Sequence, residues 1–185
     1  MIQNKNGIVR AARYNITEYR RILSAVHEGE LVRLRNGLYA YPDALTGNTI
    51  DIEAIIPRGI LCLYSAWSYY GLTTQIPDAI YVAIERDRKI ILPQFPEIKL
   101  VYQQKALLEI GRTEIIEQGI TVPITDLERA VCDAVKYRNK IGIDVMTEII
   151  DNYLRHHERN LSLLTDYAKR LRVYSTLHTI LQVKL

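Results

Sequence analysis

Leu31-Val32-Arg33-Leu34-Arg35-Asn36-Gly37-Leu38-Tyr39-Ala40-Tyr41 decides how the rest of the chain is read. Val32 and Leu34 alternate with Arg33 and Arg35 ahead of Asn36-Gly37, the period of a half-buried strand, and an apolar run follows it. Asn-Gly suits a two-residue type I′ turn because both positions tolerate positive φ. The pattern predicts a β-hairpin with Leu34 facing Tyr39 and Val32 facing Tyr41 on a buried side. Arg33 and Arg35 then point outward, near the tip.

Just ahead of the hairpin stands a helical segment. Asn15 or Thr17 can cap its start, and Gly29 is a good stop. At 100° per residue Tyr19, Ile22, Leu23 and Val26 share one face, and Thr17, Arg20, Arg21 and Ser24 lie opposite. A short helix with an apolar back and an Arg/Ser/Thr front suits the DNA major groove, since guanidinium forks reach guanine edges or phosphates and hydroxyls reach phosphates. Taken alone, the same face also fits an ordinary solvated helix. Beside an Arg-tipped hairpin it predicts a winged helix-turn-helix, with the helix for the groove and the wing for flanking phosphate or minor groove. Thr17, Arg20, Arg21 and Ser24 are then the groove readers. Arg33, Arg35 and the Asn36-Gly37 tip hold the wing on phosphate, and Arg10 and Arg13 add backbone contacts.

Three blocks of sequence resemble the AbiEi-type antitoxins. Gly29-Glu30-Leu31-Val32-Arg33-Leu34-Arg35-Asn36-Gly37-Leu38-Tyr39 is similar to the wing of that family. Leu63-Tyr64-Ser65-Ala66 with Tyr70-Gly71-Leu72-Thr73 is similar to its Leu-Ser-x-x-Ser-Ala…Gly-Leu-Thr helix and turn. The third block runs from Gly119-Ile120-Thr121-Val122 to Arg129-Ala130-Val131-Cys132-Asp133. The blocks follow the family's order across residues 7–135, and the remainder matches as generic helices. The family usually carries a further helix ahead of the segment matching Gly7 to Thr17. The expectation here is that this helix is absent, that the start lies upstream, or that the body covers the apolar side it would protect. The resemblance implies a repressor that binds operator DNA upstream of its own operon. It also implies a body that counteracts a cognate nucleotidyltransferase-like toxin.

The charge distribution agrees with a polyanion-binding module on a neutral body. Residues 1–41 hold seven basic side chains, Lys5 among them, against three acidic ones; the rest of the 185 residues hold seventeen against eighteen. An apolar fraction of 48% with 24% charged residues is that of a folded domain. No apolar run approaches the ~18 residues of a membrane span, and the start lacks the apolar core of a signal peptide, so a cytoplasmic protein with no membrane contact is expected. Cys62 and Cys132 sit in apolar patterns and predict buried thiols.

Residues 42–48 are turn-rich and mark a boundary between a winged helix-turn-helix domain at 1–42 and a larger domain at 48–185. In the larger domain residues 49–55 predict a strand or short helix start, and residues 60–70 a buried helix ended by Gly71. Strands are expected at 79–85, 98–102 and 120–124. Thr125 to Glu128 predicts a capping box opening a helix to about Tyr137. Helical patterns at 143–157, 161–172 and 175–183 complete an α+β chain: a winged helix-turn-helix followed by a mixed α/β domain ending in helices.

Two catalytic patterns need weighing. Pro77-Asp78 with Glu97-Ile98-Lys99 matches the Pro-Asp…Glu-x-Lys signature of metal-dependent nucleases, in which two carboxylates hold Mg²⁺ and the lysine stabilises the attacking water. Pro-Asp is also ordinary turn chemistry, and Glu-x-Lys is common at this charge density. Glu128, Arg129 and Asp133 read first as a cap and an i,i+4 pair. No P-loop, nucleophile elbow or dinucleotide fingerprint occurs. The expectation is a binding protein without catalytic residues, metal or cofactor. The alternatives are the nuclease, or a protein-interaction module with a vestigial winged helix.

Overall fold

Two sheets organise the chain in the computed structural model, which describes residues 7–45, 51–117 and 119–184. The first is antiparallel and three-stranded, from β1 (Ile8–Arg10), β2 (Val32–Arg35) and β3 (Leu38–Ala40), with β3 in the middle. Helix α1 (Ile16–His27) joins β1 to β2. The Asn15 side chain accepts the Thr17 and Glu18 N–H groups, and Glu18 takes back the Asn15 N–H, each at 3.0 Å, so a reciprocal capping box starts the helix. Gly29, with φ 79°, ends it.

The buried seam of α1 differs from the expected one. Ile22 and Ala25 are buried and Val26 is half-buried, packed on Val9, Leu31 and Tyr39. Tyr19 and Leu23 are 37% and 44% exposed. Contact with the three-stranded sheet centres on Ile22, Ala25 and Val26, an i, i+3, i+4 seam one step round the helix from the expected one.

The hairpin has the expected two-residue tip, Arg35 opposite Leu38, but not the expected register. Beyond the tip Arg33 pairs with Tyr39 and Val32 with Ala40, leaving Leu34 as an extra residue. Gly37 takes positive φ, 74°, whereas Asn36 does not, so the turn is not type I′. Other turns splay the strands, and a bulge restores the pairing. The bulge also sorts side chains. Every residue of β3 is buried, because Tyr39 faces α1 while Leu38 and Ala40 face the body; the bulge sends Leu34 to join the body side.

The second sheet holds β4 (Ile60–Leu61), β5 (Ile80–Glu85), β6 (Ile98–Gln103), β7 (Arg112–Glu117) and β8 (Ile120–Thr125), in the order β6-β5-β4-β8-β7. The pairs β5–β6 and β4–β8 are parallel; β4–β5 and β7–β8 are antiparallel. One face packs on α3 (Tyr64–Tyr69), α5 (Leu127–Ile141), α6 (Ile143–Arg155), α7 (Leu161–Arg170) and α8 (Tyr174–Lys184), around the fully buried Trp67. On the other face Val82, Ile84 and Ile98 meet α2 (Ile52–Ile55) and the back of the hairpin at Leu34, Leu38 and Ala40. With α4 (Lys105–Leu108), eight α-helices and two sheets stand among the described residues, a mixed α+β fold.

Residues 60–70 are not one helix. Leu63 at φ 47° interrupts the run, and Ile60-Leu61 fills the gap between β5 and β8 as a central strand. The helical alternative for 49–55 holds at Ile52–Ile55, with Asp51 accepting the Ala54 N–H at 2.9 Å; Thr49 and Ile50 lie outside the described residues. The proposed boundary at 42–48 begins as a 3-10 turn, Pro42–Leu45, whose Leu45 is buried in the shared cluster, and its remainder lies outside the described residues. Cys62 and Cys132 are buried, free thiols.

The capping box at Thr125 does not form. Asp126 is the cap, accepting the Arg129 N–H at 2.8 Å, which moves Glu128 one position earlier in the first turn. Glu128 is buried, and its carboxylate accepts the Asn160 N–H at 2.8 Å and the Tyr153 hydroxyl at 3.2 Å. The i,i+4 pair is real and wholly interior: Arg129 and Asp133 meet at 3.0 Å with side chains 1% and 0% exposed.

Candidate nucleic-acid interface

The predicted contact residues divide between two surfaces. Thr17, Arg20, Arg21 and Ser24 lie exposed on the outer side of α1, which its seam on Val9 and Tyr39 directs away from the sheet. Ser24 is not idle there. Its hydroxyl donates to Glu28 at 2.8 Å, which puts a carboxylate at the end of that face. Arg13 is exposed on a 3-10 turn, Ala11–Arg13, between β1 and the helix.

Arg10, Arg33, Arg35, Asn36 and Gly37 are brought together at the hairpin tip. Arg10 ends β1 opposite Leu38, and the next N–H, of Ala11, donates to the Gly37 carbonyl at 2.8 Å. This bond ties the first strand to the turn. The Arg33 guanidinium donates to the Asn36 side-chain oxygen, so two predicted contact groups engage each other. Behind them Tyr39 is buried with its hydroxyl paired to Tyr19. Burial, then that bond and the Tyr19 charge, push its pKa up, against the opposing pull of the Arg33 charge. Tyr39 therefore stays a neutral hydrogen-bonding group below the hairpin's α1 face.

An open groove of about 1010 Å³ runs beside the tip, between the hairpin and the connection from β5 to β6. Arg10, Arg33 and Arg35 line one wall and Arg88 and Lys89 the other; no acidic side chain lines it among the described residues. Leu34, Leu38, Ile90 and Leu92 supply apolar lining. Residues of α1 do not reach this groove. Sequence reasoning missed Arg88 and Lys89. Arg86-Asp87-Arg88-Lys89 is a visible basic run, yet the near-neutral charge of the body as a whole concealed it.

The helix-turn-helix pair is not present among the described residues. Ahead of β2 they contain one α-helix and the single 3-10 turn.

Of the nuclease pattern, the structure joins Asp78 and Lys99 but makes them an ion pair. Parallel pairing of β5 with β6 sets Tyr81 beside Lys99, and Asp78 accepts both the Lys99 ammonium and, at 3.0 Å, the Tyr81 hydroxyl. These two bonds hold the Asp78 pKa below the usual carboxylate range, the lysine first. Glu97 contributes its backbone carbonyl to Ile80 at 2.9 Å while its side chain is exposed. No group of three or more His, Cys, Asp or Glu side chains placed to hold a metal occurs among the described residues. No helix among them is long and apolar enough to cross a membrane. Neither a family model nor a curated protein matches this chain.

Proposed function

We propose that the chain is a DNA-binding repressor and antitoxin of AbiEi type, acting in the cytoplasm on operator DNA upstream of its own operon and counteracting a nucleotidyltransferase-like toxin. The observation that carries the DNA reading is the pairing of a helix whose Thr17, Arg20 and Arg21 face is open with a hairpin whose tip gathers Arg10, Arg33 and Arg35. In a winged helix these are the parts that take the major groove and the flanking backbone. Residues 1–42 then form the DNA-binding module and residues 48–185 the antitoxin body. The toxin link is supported by the resemblance of residues 7–135 alone.

A gel-shift titration with the upstream DNA, in EDTA and at two salt concentrations, tests the repressor half. A specific shift that weakens with salt and is abolished by Arg33→Ala with Arg35→Ala is the expected result. No shift by the wild-type chain would sink it. Growth rescue on co-expression with the toxin encoded beside it tests the antitoxin half, and death of the co-expressing cells would refute it.

One observation favours a second reading, a protein-contact module that no longer binds DNA: Ile16, Tyr19 and Leu23 leave an apolar edge exposed on α1. Unchanged DNA affinity in Arg20→Ala and Arg33→Ala chains would select it.

A further inference from the structure

We propose that the body grips nucleic acid as well, with the groove between the hairpin tip and the β5–β6 connection seating the phosphate backbone of duplex DNA, and with Arg88 and Lys89 closing on it. The proposal rests on the DNA-binding reading and extends the contact surface past residue 42. A groove with five cations and no acidic lining residue among those described focuses positive potential, and its apolar flank strengthens each charge by displacing water. A duplex offers one phosphate charge about every 1.7 Å of axis, which matches cations spread along two walls better than a single small anion does.

Both walls are held in place. On one side the Ala11–Gly37 bond anchors the turn. On the other, the connection of residues 86–97 contains no helix; it is pinned at its start by Arg86 N–H to the Gln103 carbonyl at 2.8 Å and Arg88 N–H to the Glu85 carbonyl at 3.1 Å. Ile90 and Leu92 then pack against the cluster that contains Leu34 and Leu38, so hairpin and connection share one core. A second open groove, lined by Asp78, Glu97 and Glu117 without a basic residue, is of opposite character, so the cationic lining is local rather than general.

The test is the salt dependence of binding by Arg88→Gln with Lys89→Gln, on the upstream DNA and on a mixed-sequence duplex. Each phosphate contact contributes roughly 0.9 to the slope of log affinity against log salt, so loss of both cations should flatten it by about 1.8. The same flattening is expected on both duplexes, because phosphate contacts carry no sequence information. A charge-matched control, Lys105→Gln with Lys140→Gln, changes cations that do not line the groove and should leave the slope alone. An unaltered slope in the Arg88/Lys89 variant, while Arg33→Ala with Arg35→Ala still weakens binding, overturns the groove and leaves the DNA reading standing. Equal flattening by the control also overturns it, as a net-charge effect. Failure of the wild-type chain to bind either duplex removes the underlying reading and the groove with it.

Discussion

Arg129 collects the buried polar chemistry of the body into one side chain. Its Nε donates to Asp133 at 3.0 Å, Nη1 to the carbonyls of Leu107 and Ile110 at 2.6 and 2.7 Å, and Nη2 to Gln103 Oε1 at 2.6 Å. One planar fork thus ties α5 to the end of β6, to α4 and to the turn that follows it. Gly111, at φ 67°, passes so close that an added Cβ would lie 2.5 Å from that of Arg129, so the turn is shaped around this residue. Arg129→Ala leaves Asp133 buried without its counter-charge and should cost about 3–5 kcal/mol, read as a lowered urea midpoint. Arg129→Lys should recover little, because a single ammonium cannot span four acceptors set for a fork. The pH dependence follows from Asp133, whose pKa burial raises and Arg129 opposes. A carboxyl with a raised folded-state pKa binds protons more readily folded than unfolded, so its penalty is present at neutral pH and relieved as pH falls through that pKa. Without Arg129 the rise is larger. The deficit of Arg129→Ala should therefore shrink as the pH is lowered from neutral, and a deficit that grew in acid would refute this account.

Among the elements, α1 and the hairpin had the most legible signals. Asn15 and Gly29 encode a helix start and stop through local hydrogen bonds and backbone freedom, and both appear as expected, with Glu18 completing a capping box that was not foreseen. Asn15→Ala removes the acceptor for two N–H groups and should lower stability by about 1 kcal/mol, measurable as a shift in thermal midpoint. No change would mean that the box contributes nothing in this exposed setting. The turn at Asn36-Gly37 was legible for the same local reason, but the pairing beyond it was not. Register depends on which face of each strand is buried, and β3 proved buried on both. Local alternation cannot show that both faces of a strand are buried, and it left no mark of β1 or β4, of three and two residues. Glu128 illustrates the same limit in a helix: its spacing from Thr125 fits a capping box, yet Asp126 is the cap and Glu128 serves Asn160 and Tyr153.

At the scale of the molecule, the hairpin that carries Arg33 and Arg35 also carries Leu34, Leu38 and Ala40 into the body's core beside Val82, Ile84 and Ile98. A change in the hairpin should then be felt in the body. Leu34→Ala is expected to cost about 2–4 kcal/mol by leaving a cavity, and to lower the unfolding midpoint reported by Trp67 fluorescence, although Trp67 lies on the opposite face of the second sheet. A Trp67 transition that stayed in place while the far-UV signal gained an earlier phase would mean that the N-terminal part unfolds independently. The sequence by itself determined the mixed α+β class, the α1 boundaries, the two-residue tip, most of the body's strands and helices, and the basic bias of the first forty residues. All of these rest on neighbours within a few positions, where periodicity, caps and turn chemistry act. The seam of α1, the bulge at Leu34, the interior position of Glu128 and Arg129, and the meeting of Arg10, Arg33 and Arg35 with Arg88 and Lys89 were decided by the tertiary structure. Each depends on which distant surface a residue packs against, and burial on two faces or across a groove leaves no periodic mark along the chain.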